Sequence, residues 1–222
     1  MSDAARARLA KERKQLLESK PAGCFAKPLK GKDGSVDLMN WEAGITPLSG
    51  SAYLLPASSA GTYRVTFAFP ADFPASPPLV KFSPPIFHTN VFTSGNVCLS
   101  LLLAEGHHPG AGHKGFWQAT LTMGDLLKAL QRFLDDPNPN SMCVPRRGRA
   151  ARAPYLPLFH PPPPRTFAAP ASPARPRSAN EVACAKLKQS PEAYREQVLK
   201  SALSYPAELE RAKEREARAA GK

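Results

Sequence analysis

The residues of this 222-residue chain best suited to do chemistry lie in one stretch, Phe87-His88-Thr89-Asn90-Val91-Phe92-Thr93-Ser94-Gly95-Asn96-Val97-Cys98-Leu99-Ser100. A cysteine thiolate can take up an acyl group as a thioester, which splits one difficult acyl transfer into two easier steps. An amide side chain beside it can stabilise the oxyanion that forms when the thioester is attacked. Asn90 stands eight residues before Cys98 and reaches it if the chain turns tightly, which Ser94-Gly95-Asn96 permits. The residues alone leave a second reading open. A cysteine flanked by Val97 and Leu99 is more often a small buried residue, with His88 an ordinary core or loop histidine and Asn90 a turn former.

The other reactive side chains give weaker patterns. Cys24, Cys98, Cys143 and Cys184 match neither a zinc-site spacing nor a dense disulfide framework. The first twenty residues are charged and polar, unlike a secretory leader, so four free thiols in a reducing compartment are expected. Cys24 and Cys184 read as packing residues and Cys143 as an exposed thiol without a role. His107, His108 and His113 crowd one short stretch but have no carboxylate or cysteine partners, so a solvated loop is expected and no metal site. No run approaches a membrane span.

These residues need a frame, and the hydrophobic pattern supplies one. Residues 3–18 read as a helix with Ala5, Leu9 and Leu16 on one face, stopped by Pro21 and Gly23. Strands are expected over Cys24–Lys27, over Ser35–Glu42 after the Asp33-Gly34 turn, through the alternation Tyr63, Val65, Phe67, Phe69, and over Val80–Phe82. Trp41 reads as core. Short connections make these an antiparallel meander. From Ser83 to Phe116 no period is sustained, and a long irregular stretch within a compact domain is usually functional. Thr122-Met123-Gly124-Asp125 is a capping box opening a helix with Leu126, Leu127, Leu130, Phe133 and Leu134 buried. Helices resume over Ala179–Gln189 and from Pro191 to about Arg218, the charged, Ala-rich tail from Glu208 onwards having little apolar face. The fold class is therefore α+β: a four-stranded antiparallel meander packed against an N-terminal helix, a central helix and C-terminal helices.

Residues 142–178 differ in kind. Ten of these 37 residues are proline and seven are arginine, with no Lys, Asp or Glu. Such a segment buries too little apolar surface to offset its ordering entropy, so disorder is expected. It also carries much of the net charge of +12, which falls by seven to +5 without it. The organisation expected is a core over 1–141 and 179–207, interrupted by the segment 142–178 and followed by a charged tail over 208–222.

With these features in place, the chain resembles the ubiquitin-conjugating fold family, and within it the SUMO-conjugating enzymes. That family carries His-Pro-Asn and a Cys-Leu about eight residues after the Asn; here the pattern stands as His88-Thr89-Asn90 and Cys98-Leu99. Leu9-Ala10-Lys11-Glu12-Arg13-Lys14 resembles the first helix, and Leu38-Met39-Asn40-Trp41-Glu42 looks like a marker of the SUMO branch. Phe73-Pro74-Ala75-Ser76-Pro77-Pro78 is similar to the Tyr-Pro-x-x-Pro-Pro turn. Trp117, Leu121 and Thr122, Glu192-Ala193-Tyr194 and Ser204-Tyr205-Pro206-Ala207 resemble later segments, so the likeness covers about 1–141 and 179–207.

The resemblance implies that an activating enzyme loads a modifier, SUMO or ubiquitin, onto Cys98, and that a lysine of a substrate protein then takes it. Asn90 would stabilise the oxyanion or its loop. Ser141 falls at the lysine gate, with Phe92, Ser94 and Asn96 facing the substrate. Arg13 and Lys14 would bind the modifier or its activating enzyme. Protein ligases are expected partners, the nucleus and cytoplasm the expected location, and no cofactor, direct nucleic-acid partner or membrane is expected. The departures are Thr89 for the usual Pro, which should loosen the loop, and Phe92 for Tyr, which removes a hydroxyl. Ser141 stands for Asp, and Leu17 and Leu79 replace basic residues of the SUMO branch. Extra residues fall near Tyr53–Ser59, near Gly106–Gly115 and over 142–178. Asn138-Pro139-Asn140-Ser141 and Ala179-Asn180 would join smoothly without the last of these, so it reads as a retained intron rather than an evolved module. Arg146-Arg147-Gly148-Arg149 otherwise suggests a basic arm or nuclear address.

Competing readings are a ubiquitin-conjugating enzyme, suggested by Ser141, Leu17 and Leu79, and a silent binder of ubiquitin-like proteins, against which Cys98 itself argues. A nucleic-acid binder would rest on 142–178 alone.

Overall fold

The computed structural model describes residues 3–31, 33–54, 61–103, 116–139 and 179–220. Helix α1 (Asp3–Ser19) is followed by strands β1 (Cys24–Lys30), β2 (Val36–Ile45), β3 (Tyr63–Ala68) and β4 (Leu79–Phe82). A single 3-10 turn follows over Ser100–Leu102, and helices α2 (Met123–Phe133), α3 (Glu181–Gln189) and α4 (Pro191–Ala220) complete the described elements. The strands form one antiparallel sheet in the order β1-β2-β3-β4. This is the α+β meander that the alternation predicts.

Alternation decides which face is buried. Tyr63, Val65 and Phe67 point into the core while Arg64 and Thr66 stay half-buried on the other face. Trp41 pairs with Phe67 across β2 and β3 and is fully buried, as expected of a core residue. α1 and α2 cover this face through Ala5, Leu9 and Leu16, and through Leu126, Leu127, Leu130 and Phe133. The capping box at the start of α2 is formed, with the Thr122 hydroxyl accepting from the Asp125 N–H and the Asp125 carboxylate accepting from the Thr122 N–H.

One difference from the expected pattern concerns the end of an element. β1 runs on to Lys30, with a register shift at Pro28, whose ring nitrogen cannot donate to the ladder. α4 runs from Pro191 to Ala220, close to the Arg218 end that the pattern predicts, and contains Pro206. Tyr194, Val198, Ala202 and Tyr205 bury one stripe of α4. Near the helix end, Arg64 Nη1 donates to Glu216 at 2.8–2.9 Å. Packing on the sheet thus outweighs the proline's lost hydrogen bond.

Candidate active site

The stretch that follows β4 is a tight hairpin docked on the sheet edge. The Gly95 N–H donates to the Phe92 carbonyl at 2.7 Å, and the Phe92 N–H to the Asn96 carbonyl at 2.9 Å. With Gly95 at φ +88°, this is a three-residue hairpin loop closed by a glycine bulge. One arm joins the β4 edge: the Phe82 N–H donates to the Gly95 carbonyl and the Val97 N–H to the Val80 carbonyl, both at 2.9 Å. Val91 faces Val97 across the hairpin, and one step further the Cys98 N–H donates to the Asn90 carbonyl at 2.8 Å. The turn at Ser94-Gly95-Asn96 therefore makes Asn90 and Cys98 cross-strand neighbours. Such pairs carry their side chains on one face with Cβ atoms roughly 5 Å apart.

The residues before the hairpin fix it to the core. His88 is fully buried and stacked on Phe133 with ring centroids 4.2 Å apart. Its Nδ1 accepts from the Asn90 N–H at 3.0 Å, so Nε2 carries the hydrogen and donates to the Phe133 carbonyl at 3.0 Å. Burial lowers the His88 pKa to about 3, which leaves the ring neutral. The Asn90 side chain grips the chain beyond α2. Its Oδ1 accepts from the Asn138 N–H at 2.8 Å and its Nδ2 donates to the Asn138 carbonyl at 3.0 Å.

Thr89 does not loosen the loop. It is fully buried, and its hydroxyl donates to Asn90 Oδ1 at 2.7 Å. Its carbonyl accepts from the Asn180 N–H at 3.2 Å and from the Cys184 thiol at 3.7 Å. A proline at this position would have no hydroxyl, so the substitution adds a tie.

Cys98 is 8% exposed and packs with Ala179 and the half-buried Phe92. It is disulfide-bonded, which corrects the expectation of four free thiols; Cys24, half-buried, and Cys184, buried, are free. Burial pushes the Cys24 thiol up, as suits an unreactive packing residue. Ser94 is exposed at the hairpin tip, and its hydroxyl accepts from the Asn96 N–H at 3.5 Å, the long limit of a hydrogen bond. Arg13 and Lys14 are exposed on α1, which packs against β1, β2 and α2, so the fold does not bring them into the Cys98 cluster. Ser141, Cys143, the three histidines, Arg146–Arg149 and the rest of 142–178 lie outside the described residues. Among the described residues no group of His, Cys, Asp or Glu could hold a metal, and no helix is long and apolar enough to cross a membrane.

A hairpin bearing a cysteine with an anchored asparagine opposite, on a meander packed against helices, is the arrangement that the family resemblance implies. The sequence profile described as ubiquitin-conjugating enzyme matches residues 8–153. The chain belongs to the ubiquitin-conjugating enzyme family.

Two curated members of this family are similar over 138 residues each. The SUMO-conjugating enzyme UBC9 of Caenorhabditis elegans is 39% identical, the match covering 62% of this chain and 75% of that protein. The SUMO-conjugating enzyme SCE1 of Arabidopsis thaliana is 38% identical, covering 62% of this chain and 78% of that protein.

Several residues that hold the site escape a reading of the sequence. Asn138 and Asn180 serve as backbone anchors for Asn90 and Thr89, and only the run Asn138-Pro139-Asn140 hints that the chain is shaped there. Tyr53 and Tyr194 lie beneath the loop. The Tyr53 hydroxyl donates to the Phe87 carbonyl at 2.8 Å and lies 3.1 Å from the Tyr194 hydroxyl. Both phenols are pushed up, chiefly by burial. Nothing in their sequence spacing pairs residues 141 positions apart.

Proposed function

We propose that this protein is a SUMO-conjugating enzyme that accepts SUMO from its activating enzyme as a thioester on Cys98 and passes it to lysines of substrate proteins. The observation that carries the reading is the pairing of Cys98 with Asn90 across a hairpin fixed to the sheet edge, in a chain similar to two proteins named for SUMO conjugation. In its reduced form Cys98 attacks the thioester delivered by the activating enzyme and takes over the acyl group. The neutral amine of a substrate lysine then attacks that carbonyl. A C–N bond forms, the C–S bond breaks, the sulfur leaves as thiolate, and the surplus amine proton passes to water or a nearby base. Asn90 acts at the oxyanion through Nδ2, whose bond to Asn138 uses one of its two hydrogens. Phe92 and Asn96 flank the thioester, and Ser141 would stand at the lysine entry. Arg13 and Lys14 offer a basic exposed face to the modifier or activating enzyme, and protein ligases would bring substrates.

One observation favours ubiquitin as the modifier: Leu17 and Leu79 are 66% and 41% exposed where the SUMO branch carries basic residues. The test is a charging assay on the reduced protein, with ATP and each activating enzyme paired with its own modifier, resolved on a non-reducing gel. A thiol-sensitive adduct with SUMO alone, lost in Cys98→Ala, is expected. The same adduct with ubiquitin alone replaces SUMO by ubiquitin. No adduct with either sinks the enzymatic reading in favour of a binder of ubiquitin-like proteins.

A further inference from the structure

The Asn90 amide is held on three sides, and one holder has no counterpart in the family's His-Pro-Asn pattern. Asn90 is 3% exposed. Its Oδ1 receives two donors, the Thr89 hydroxyl at 2.7 Å and the Asn138 N–H at 2.8 Å. A carbonyl oxygen has two lone pairs, and both are engaged. With the oxygen end fixed, Nδ2 must face the other way, one hydrogen on the Asn138 carbonyl and the second left to point elsewhere. Rotating the amide by half a turn would set NH₂ against the Asn138 N–H, two donors face to face in a buried site.

Thr89 is itself held from two elements. Its carbonyl is bonded from Asn180 and Cys184 at the start of α3, and its neighbour His88 is bound to the end of α2. A hydroxyl so placed has a fixed origin and a short reach to one oxygen. A threonine that served packing alone would not need to aim its donor at a side chain already held by a peptide group.

We propose that Thr89 is a positioning residue for the acyl transfer at Cys98: its hydroxyl locks the Asn90 amide with Nδ2 as the donor available to the developing oxyanion. This rests on the reading of Cys98 as the thioester carrier. The hydroxyl takes no part in bond making or breaking. The lysine nitrogen bonds to the thioester carbon, the Cys98 sulfur leaves as thiolate, and the amine proton goes to water or a nearby base. Thr89 acts only on the orientation of the amide that meets the transient negative oxygen.

The experiment is single-turnover discharge of pre-charged full-length enzyme to free lysine, comparing wild type, Thr89→Val, Thr89→Ser and Asn90→Ala. Valine keeps the shape of threonine and removes the donor, whereas serine keeps the donor. Removing an oxyanion donor outright costs roughly 10²–10³-fold in rate. Releasing the orientation of such a donor should cost less, about tenfold at saturating lysine in Thr89→Val, with half-saturation unchanged. Thr89→Ser should return to within about threefold of wild type, and Thr89→Val should add little in an Asn90→Ala background, since both act through one amide. Wild-type discharge by Thr89→Val would overturn the inference. So would an equal slowing by Thr89→Val with and without Asn90, or a loss in Thr89→Ser matching that in Thr89→Val, because either marks a packing role. A wild-type protein that never forms a thiol-sensitive adduct with SUMO or ubiquitin overturns instead the parent reading of Cys98.

Discussion

The Cys98 N–H meets the Asn90 carbonyl at 2.8 Å across a hairpin whose turn is closed by Gly95. Gly95 has φ +88°, a conformation that costs an L residue roughly 1–2 kcal/mol. A Cβ there would also lie 2.2 Å from the Phe82 carbonyl oxygen, a backbone atom that cannot swing aside. Gly95→Ala is therefore expected to lose both stability and the register between Asn90 and Cys98. Urea melts and the charging assay check it, with Gly34→Ala as the control. Gly34 has φ +80° but open space around it, so its variant should lose only the backbone cost and charge normally. Equal behaviour of the two variants would refute the packing argument.

Asn138 and Asn180, on either side of the segment 142–178, are bound to the adjacent residues Asn90 and Thr89. The first tie is made by the Asn90 side chain, the second by the Asn180 N–H donating to the Thr89 carbonyl. The 41 residues between these anchors close a loop that four would span if Ser141 were joined to Ala179. Loop-closure entropy grows slowly with length, so the shortened chain should gain about 2 kcal/mol. Deleting 142–178 is expected to preserve charging and leave the melting temperature equal or higher. If the segment displaces the lysine gate at Ser141, discharge should also quicken. Equal discharge rates would dismiss that effect, and a transcript that retains the codons after splicing would dismiss the intron reading.

Much of the frame is legible in the sequence because it rests on period and capping. The alternation from Tyr63 to Phe67 yields β3, and Thr122 with Asp125 marks the start of α2. The Asn90–Cys98 approach is legible because Gly95 advertises a turn. Thr89 is the instructive miss. Comparison with a proline suggests a looser loop, yet a hydroxyl's value depends on which oxygen lies within reach, and that oxygen is set by Asn138, 49 positions away. The partner of Glu216 is hidden for a similar reason, since its contact with Arg64 joins residues 152 positions apart.

Glu12 ties α1 to α2 and should reveal how far the outer basic face depends on that joint. It is 1% exposed; Oε1 pairs with Arg8 at 2.7 Å and Oε2 accepts from the Met123 N–H at 2.8 Å. That N–H is one of the unpaired donors at a helix start, where a negative charge is also favoured by the helix dipole. Arg8 in turn donates to the carbonyls of Ala119 and Leu121. Glu12→Ala strands the buried Met123 N–H and takes the carboxylate partner from Arg8, a loss of about 2–4 kcal/mol. Denaturation should show a loss of that order, and Glu12→Gln, which keeps one acceptor, should lose less. A change under about 0.5 kcal/mol in Glu12→Ala would mean that water replaces the carboxylate, contrary to its burial.

His88 makes stability depend on acid. Its pKa is about 3 in the folded chain against 6.5 in the ordinary state. Between these values the unfolded chain binds the proton and the folded chain does not, so stability rises with pH across this window. The histidine's contribution is fully present above about pH 6.5 and is lost as pH falls towards 3. From pH 7 to pH 5 the loss from this one group is about 2 kcal/mol. Protonation would put a second N–H on Nδ1, facing the Asn90 N–H that Nδ1 now accepts, and so would attack the loop that carries the site. Urea melts of wild type and His88→Gln at pH 7, 6 and 5 test this. The variant should start less stable and fall less steeply, by about 2 kcal/mol over that range. Parallel slopes would show that His88 does not stay neutral in the folded chain.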